Sequence, residues 1–390
     1  MLERFGRRRG PAWIREGLRS RVQGQEVATT ALANAVYAHV RGLLQGGENP
    51  RPYGSQHLLL IGGTGTGKSH LIRSLEEVTG LPIHIISATS LVQTGYVGMT
   101  VDAMIRHVFH LSQQNVSRTE RSIIFIDEID KVRGAGDCQG PDVSGLGVQH
   151  ALLTVLDGRL VPMKSGEQGF PDSGLVIDTK KILFICAGAF VGLERIVAKR
   201  IHVPDMIGFT PAPSRNAPRV KRLLRQATLD DIVEFGLIPE LVGRFTSLAV
   251  TESLDARDLL AILDKPEGAL THWKAFMKDH GIELVVDEGA QMALARRAIT
   301  FKTGARALDR LVKEQLDPLI AEIGTLMSEG AFRVTLTEES VTGAAEPRIE
   351  KRSRPRTQSA SSAAEFGGNP LPEAEEEAEW DWEAQNDLPF

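Results

Sequence analysis

The glycine-rich segment GGTGTGKS, residues 62–69, has the residue types that hold phosphate groups in proteins. Its glycines let the backbone curl so that successive N–H groups point inward at phosphate oxygens, and they are Gly62, Gly63, Gly65 and Gly67. Lys68 can reach the β- and γ-phosphates of a nucleotide, and the Ser69 hydroxyl can hold Mg²⁺. The alternative is a chance match in a flexible loop, but ordinary residue frequencies give the four fixed positions in only ~1–2% of chains this long.

Two carboxylates follow the buried-looking run of IIFIDEIDK, residues 123–131. Ligands of parallel α/β sheets bind at the carboxyl ends of the strands, where this run places Asp127 and Glu128. Asp127 would hold Mg²⁺ directly or through water, and Glu128 would polarise the attacking water. An ordinary strand that ends in a solvated acidic turn is the alternative, and the preceding phosphate-binding segment makes it the weaker one.

The surrounding elements would position these residues in an α/β fold. A strand at 58–61 precedes the glycine-rich segment and a helix that includes residues 70–75 follows it. Further patterns alternate along the chain, with strands at 82–86, 123–126 and 182–186 and helices at 25–44, 101–111 and 147–156. Because the strands are apolar without alternation, we expect a parallel sheet covered by helices on both faces.

The pattern changes after residue 246 to a smaller, mainly helical α+β unit. Helices are predicted at 254–263, 267–280, 288–299 and 305–323, with strands at 282–286 and 332–336. We therefore expect a basic N-terminal arm at 1–20, a large domain at 21–246, a small C-terminal domain at 247–345 and a disordered tail at 346–390.

Composition indicates a globular cytoplasmic protein. The chain has 390 residues, of which 42% are hydrophobic and 24% charged, and its net charge is −5. Residues 371–390 carry eight acidic and no basic side chains, which leaves +3 for the remainder, so nothing demands nucleic acid as a partner. Cys138 and Cys186 lack metal-ligand spacing, so we expect no zinc site and no disulfide framework. No segment reads as a signal peptide or a membrane span.

Taken together, the motifs resemble the AAA+ ATPases, and more narrowly the bacterial ClpX-type unfoldases. The matching stretches occur in the family's order: VQGQE at 22–26, GGTGTGKS at 62–69, GYVG at 95–98, FIDEIDK at 125–131, VSGLGVQHALL at 143–153, ILFICAGAF at 182–190, IGF at 207–209, FGLIPELVGR at 235–244 and KTGAR at 302–306. The resemblance implies ATP and Mg²⁺ as cofactors, a homo-hexameric ring, polypeptide substrates, a ClpP-type peptidase partner and no protease activity of the chain itself. The related HslU type fits less well because the chain has no room for its large inserted domain.

The resemblance also assigns residues to the ATP site. Arg244 is similar to the arginine finger that reaches the γ-phosphate of a neighbouring subunit, although a lone arginine is by default a surface ion pair. Arg306 resembles the sensor-2 arginine, with solvation of a helix end as the alternative, and no sensor-1 side chain is assigned near residues 186–188. The remaining nucleotide-binding residues implied are Val22, Gln23, Gly63, Thr64, Gly65, Thr66, Gly67, Lys68, Ser69 and His70.

Two further loops acquire roles from the resemblance. Tyr96 and Val97, between glycines, resemble the pore loop that grips a polypeptide, whereas a turn with a half-buried ring is the alternative. Ile207, Gly208 and Phe209 resemble the loop that docks on the ClpP peptidase, and a loop tucked onto the core is the alternative.

The match fails in the parts that read substrates. The paired Cys-x-x-Cys motifs of the family's N-terminal zinc domain are absent from the sequence, and Met99-Thr100 replaces a usual acidic pair. The segment 160–175 lacks the family's basic cluster, and the acidic tail with Trp380 and Trp382 has no counterpart. A remodelling ATPase that dismantles a dedicated complex without proteolysis therefore stays an alternative to a peptidase-linked unfoldase. A purely structural nucleotide site is a third possibility, against which the complete set of Lys68, Asp127, Glu128, Arg244 and Arg306 argues.

Overall fold

The computed structural model describes most of the chain between residues 10 and 352. The described ranges are 10–45, 57–92, 98–133, 143–163, 174–202, 222–263, 265, 268–301 and 304–352. Their strands are β1 Leu58–Ile61, β2 Ile83–Ser87, β3 Ile123–Asp127, β4 Leu160–Pro162, β5 Val176–Asp178, β6 Leu183–Gly188, β7 Ser247–Val250, β8 Glu283–Val286, β9 Ala331–Leu336 and β10 Arg348–Lys351.

The main sheet is parallel, as the apolar runs predict. Within the described ranges its strand order is β2-β3-β6-β1-β7. Every residue of β1 and β6 is buried, because both strands lie inside the sheet and both faces are covered by helices. Strand β6 lies between β1 and β3, so the glycine-rich segment and the Asp127-Glu128 pair flank the end of β6.

Helices form the layers on both faces of this sheet. They are α1 Pro11–Arg21, α2 Glu26–Gln45, α3 Lys68–Thr79, α4 Val101–Leu111, α5 Val116–Glu120, α6 Val143–Asp157, α7 Leu193–Arg200, α8 Leu229–Phe235 and α9 Pro239–Val242. Alternate residues of β1 enter different cores: Leu59 and Ile61 join the one that contains α4 and α6, whereas Leu58 and Leu60 join the one that contains α1 to α3.

Residues 11–20 differ from the predicted basic arm, because they form most of helix α1. Ile14 and Leu18 are fully buried, one turn apart, and belong to the same core as Leu71 of α3. Pro11 starts the helix at a position where its missing N–H is harmless. The arginines around this apolar pair hide its helical spacing in the sequence.

The C-terminal part has its own core and sheet. Its helices are α10 Ala256–Leu263, α11 Ala269–Asp279, α12 Glu288–Thr300, α13 Arg306–Ala321, α14 Ile323–Ser328 and α15 Glu338–Thr342. They pack with β8, β9 and β10, where β9 is parallel to β8 and antiparallel to β10. The predicted mainly helical α+β architecture is confirmed.

Two predicted boundaries shift, and one sheet was missed. β7 pairs with β1 in the main sheet although the sequence places residues 247–250 in the small domain. β10 pairs with β9, whereas the sequence predicts that residues 348–351 belong to the tail. The β4–β5 hairpin was not predicted, because its strands are only three residues long. None of the helices in the described ranges is long and apolar enough to cross a membrane.

Candidate active site

The glycine-rich segment forms a phosphate-binding loop between β1 and α3. Gly65 and Gly67 adopt left-handed φ values of 77° and 89°, which side chains with a Cβ rarely accept. Gly67 caps α3, and the Leu71 N–H donates to the Gly67 carbonyl oxygen at 2.8 Å. The first N–H groups of α3 and its positive dipole end therefore lie at the loop, which favours an anionic ligand.

Two residues that the sequence analysis did not single out hold this loop in shape. Gln25 is only 3% exposed, and its amide donates to the Thr66 carbonyl at 3.1 Å and to the Glu252 carbonyl at 2.8 Å. The Thr251 and Thr66 hydroxyls lie 2.8 Å apart. The end of β7 and the start of α2 thus fix the loop before any ligand arrives. Gln25 lies inside the VQGQE motif, the one sequence signal that pointed toward it.

Lys68 is the first residue of α3 and lies against the loop. Its ammonium donates to the carbonyls of Gly62 and Gly63 at 2.6 and 3.1 Å. Burial lowers the pKa of Lys68, and the negative charges of Asp127 and Asp130 oppose that shift. Burial disfavours the charged form of this ammonium, so the negative charge of a bound polyphosphate would stabilise it.

Ser69 and Asp127, the two residues expected to hold Mg²⁺, lie in hydrogen-bond contact. The Ser69 hydroxyl donates to Asp127 Oδ2 at 3.4 Å across the gap between α3 and the end of β3. Asp127 Oδ1 accepts the Glu128 N–H at 2.9 Å, which orients the carboxylate. A hydroxyl and a carboxylate side by side are the hard oxygen donors that Mg²⁺ prefers, so the residues present fit that ion.

Glu128 lies at the same edge of the sheet in a left-handed conformation, with φ of 60°. Its Oε2 accepts hydrogen bonds from the hydroxyls of Ser87 at 2.8 Å and Thr89 at 3.4 Å. Ser87 ends β2 and pairs with Asp127 in the sheet register. These two hydroxyls were missed by the sequence analysis, because only the pairing of β2 with β3 brings them to the carboxylate.

The end of β6 completes the floor of the site with main chain. The Ala189 N–H donates to the buried Asp130 carboxylate at 3.1 Å. Residues 187–190 carry no polar side chain, which explains why no sensor-1 residue could be assigned from the sequence. Cys186 is not a substitute, since burial raises the pKa of its thiol to about 12.

A cleft of about 990 Å³ opens over these residues. Its lining includes the nucleotide-binding residues inferred from sequence, except Gly63, together with the carboxylates: Val22, Gln23, Thr64, Gly65, Thr66, Gly67, Lys68, Ser69, His70, Asp127, Glu128 and Arg306. Val22, Leu254, Ile262 and Leu308 contribute apolar surface to the lining, the chemistry that suits a flat base.

The C-terminal part closes the cleft from the other side. The Ala305 N–H donates to the Gly65 carbonyl at 3.3 Å, directly before Arg306 begins α13. A Cβ on Gly304 would lie 2.5 Å from the same carbonyl oxygen. The site is therefore built from both parts of the chain.

Arg244, predicted from the resemblance as an ATP-site residue, does not line this cleft. It follows α9, and its guanidinium pairs with the Asp157 carboxylate at the end of α6, with Nη2 donating to Oδ2 at 3.1 Å. Its side chain is 45% exposed. The geometry within one chain thus leaves Arg244 at the surface.

The predicted pore loop and the predicted peptidase-docking loop both fall in undescribed segments. Tyr96 and Val97, and Ile207, Gly208 and Phe209, lie outside the described residues. Nearby, the Thr100 hydroxyl accepts the Ala103 N–H at 3.1 Å and caps α4. Thr100, which replaces an acidic residue of the family pattern, therefore has a role in the fold.

The fold and the site define an ATPase of the AAA+ class. The family described as AAA domain (Cdc48 subfamily) matches residues 54–248, and the family described as C-terminal, D2-small domain, of ClpB protein matches residues 254–331. The second match ends before β10.

Curated relatives give the narrower family. The ATP-dependent Clp protease ATP-binding subunit ClpX of Azotobacter vinelandii is 38% identical over 79% of this chain and 73% of its own length. The subunit of the same name from Borrelia duttonii is 35% identical over 85% of this chain and 78% of its own. A protein of Methylococcus capsulatus named ClpX 3 is 37% identical, over 83% and 78% of the two chains. The chain belongs to the ClpX family of AAA+ ATPases.

Proposed function

We propose that this chain is an ATP-driven protein unfoldase that works as a homo-hexameric ring in the cytoplasm, threads polypeptides through a central pore and delivers them to a ClpP-type peptidase. The observation that carries the proposal is the cleft in which Lys68, Ser69, Asp127, Glu128 and Arg306 converge. In this proposal the chain hydrolyses ATP and leaves peptide bonds to the partner.

Each residue has a role that its geometry supports. The loop N–H groups and Lys68 bind the phosphates, and Ser69 with Asp127 would hold Mg²⁺. When bound, that ion supplies charge stabilisation for the phosphates. Glu128, fixed by Ser87 and Thr89, takes the proton of the water that attacks the γ-phosphorus as the bond to the leaving phosphate oxygen breaks.

The position of Arg244 supports the proposed ring. Its exposed guanidinium is absent from the lining of its own cleft, and an arginine that stabilises the transition state is worth ~10³–10⁵ in rate. A second copy of the chain is the simplest recipient of this arginine. Hydrolysis would then depend on assembly, which fits the ATP-binding subunit named in the relatives.

In this proposal, Arg306 couples ATP hydrolysis to a shift between the two parts of the chain. Because α13 begins against the phosphate-binding loop, loss of the γ-phosphate would release a charge contact between the two parts of the chain. The resulting shift would move the loop that carries Tyr96 and pull the polypeptide held there.

Substrate trapping with Glu128→Gln tests the proposal. We expect this variant to bind ATP, assemble, hydrolyse at under a hundredth of the wild-type rate and hold polypeptides stably, since a general base contributes about 10²–10⁴. Lys68→Ala, which should lose nucleotide binding, is the control that must hold none. Full turnover by Glu128→Gln would require another base, and trapping by both variants would mean that binding is independent of ATP.

Association with a ClpP peptidase decides between the two ATPase alternatives. A pulldown that retains the peptidase with wild type, but not with Phe209→Ala, would support delivery for proteolysis. ATP-dependent release of a trapped complex without any peptidase association would support a dedicated remodelling ATPase. Met99-Thr100 stands where the family usually has an acidic pair, and this difference favours the second function.

A further inference from the structure

Helix α6 connects the segment that follows Glu128 with the segment that leads to Arg244. At its first turns, Gly145 lies so close to the chain that a Cβ would be 2.9 Å from the carbonyl oxygens of Val132 and Arg133. At its last turn, Asp157 pairs with Arg244. Between them, Gln149 is completely buried and contacts both segments.

The Gln149 amide makes three hydrogen bonds that join these segments. Its Nε2 donates to the Val132 carbonyl at 2.8 Å and lies 3.5 Å from the Gly236 carbonyl. Its Oε1 accepts the Ile238 N–H at 2.7 Å. The short 3₁₀ turn Ile129–Val132 separates Glu128 from the first of these contacts, and α9 separates Ile238 from Arg244.

One side of this bridge, Val132, lies four residues after Glu128, and the other, Ile238, lies six residues before Arg244. Ile129 and Val132 are buried in the same core as Leu237, Leu241 and Val242, so a displacement on one side meets packed atoms on the other. Gln149 to Asp157 spans about 12 Å of helix α6.

We propose that Gln149 is a positioning residue that transmits the state of the site containing Glu128 to Arg244, and so to the site of the next subunit. The proposal rests on the proposed function, because it requires Arg244 to act on a neighbouring copy. Loss of the amide would let the Gly236–Ile238 turn drift from Val132 and would misplace the guanidinium without altering any group that binds the nucleotide of the same chain.

Mixed rings of two silent variants test the proposal. A donor chain carries Glu128→Gln, whose own turnover should be under a hundredth of the wild-type rate but which keeps Arg244. An acceptor chain carries Arg244→Ala, which keeps its own site but supplies no arginine. ATP turnover in a mixture of the two would come from acceptor sites that receive Arg244 from a neighbouring donor chain. No turnover would overturn the trans role of Arg244 and with it the proposed function.

Gln149→Met is then placed in the donor or in the acceptor. In the donor it should lower kcat of the mixture by about 10- to 100-fold with KM for ATP little changed, because an ångström of misplacement has an effect of that size. In the acceptor the loss should be at least tenfold smaller. Equal losses in the two positions, or none in the donor, would overturn the role of Gln149 while leaving the trans role intact.

Gln291→Met in the donor is the matched control. Gln291 makes a comparable amide-to-carbonyl bond to Val286 at 3.2 Å in the C-terminal part, so its loss perturbs stability without touching α6. We expect it to leave turnover of the mixture unchanged.

Hydrogen exchange of wild-type rings provides a second test that needs no variant to fold. Amides of 236–243 should change their protection when a non-hydrolysable ATP analogue is added, whereas those of α12 should not. Unchanged exchange at 236–243 with saturated sites would overturn the proposal.

Discussion

Gly62 lies at a position in the phosphate-binding loop where a larger residue does not fit. A Cβ there would be 1.7 Å from the Thr251 hydroxyl, which in turn contacts Thr66 and the Ile61 carbonyl. The neighbouring Gly63 meets nothing closer than 3.9 Å. The two glycines therefore serve different purposes although they are adjacent and have the same side chain.

We predict that Gly62→Ala lowers the free energy of unfolding by about 1–3 kcal/mol, as expected for overpacking, and weakens ATP binding because the loop must move. Gly63→Ala should destabilise the protein less. Thermal unfolding and nucleotide titration of the two variants provide the measurement. Equal destabilisation by both would show that Thr251 moves aside without consequence.

At the level of single residues, the sequence predicts those that belong to a recognisable local motif. Lys68, Ser69, Asp127 and Glu128 follow from the composition and spacing of two segments. Gln25, Ser87 and Thr251 do not, because each contacts the site only through strand pairing or helix packing across long separations in sequence. No local pattern distinguishes such residues from ordinary polar ones.

Helices α7 and α8 are held together by one buried carboxylate. Asp231 is 1% exposed and accepts two hydrogen bonds from the Arg200 guanidinium, at 2.8 and 3.0 Å. It also accepts from the Thr228 N–H at 2.7 Å, which closes the capping box of α8. Burial acts to raise the pKa of Asp231, but the hydrogen bonds from Arg200 and Thr228 outweigh it and the net pKa is lowered.

We predict that Asp231→Ala lowers the free energy of unfolding by about 2–3 kcal/mol, the usual effect of losing hydrogen bonds to a charged group. Because the folded pKa is lowered, the contribution of the carboxylate is complete above its unfolded value of about 3.9 and fades as pH falls through the folded pKa. Denaturant titrations at pH 7 and below about pH 4 should show the difference between wild type and Asp231→Ala shrinking in acid. A difference independent of pH would mean that the cap alone, without its charge, stabilises α8.

Element types were more predictable than element limits. Continuous apolar runs indicated β1, β3 and β6, since such runs survive only inside a covered parallel sheet. Helix α1 was missed because two buried residues stand among arginines, and β10 was missed because every residue of it is exposed. It is held by pairing with β9 and by an ion pair between Lys351 and Glu329, neither of which its own sequence reveals.

One of the contacts between the two described parts of the chain lies between Gly304 and the phosphate-binding loop. Gly304 has a φ of +54°, and the carbonyl oxygen of Gly65 occupies the space beside it. Any nucleotide held by the loop is therefore also within reach of the first turn of α13. This contact joins two parts of the chain that have separate cores.

We predict that Gly304→Ala weakens ATP binding, because the added Cβ pushes α13 and Arg306 away from the loop. Gly281→Ala is the matched control in the same part of the chain, since its φ is +74° but nothing lies within 4 Å. Both changes should destabilise the protein by about 1–2 kcal/mol from left-handed strain alone. Calorimetric titration should show weaker binding only for Gly304→Ala, and an equal effect of both changes would argue against the junction.

The buried thiol of Cys186 can report how often the nucleotide-binding core opens. It is buried on β6 between the strands that carry the two halves of the site, so a thiol reagent can reach it only when that sheet opens. In a Cys138→Ser background, the labelling rate would time the opening of the nucleotide-binding core itself. ATP analogue at 100 times its Kd should slow the labelling by about 100-fold. A rate that nucleotide does not change would mean that Cys186 is reached by an opening that leaves the bound nucleotide in place.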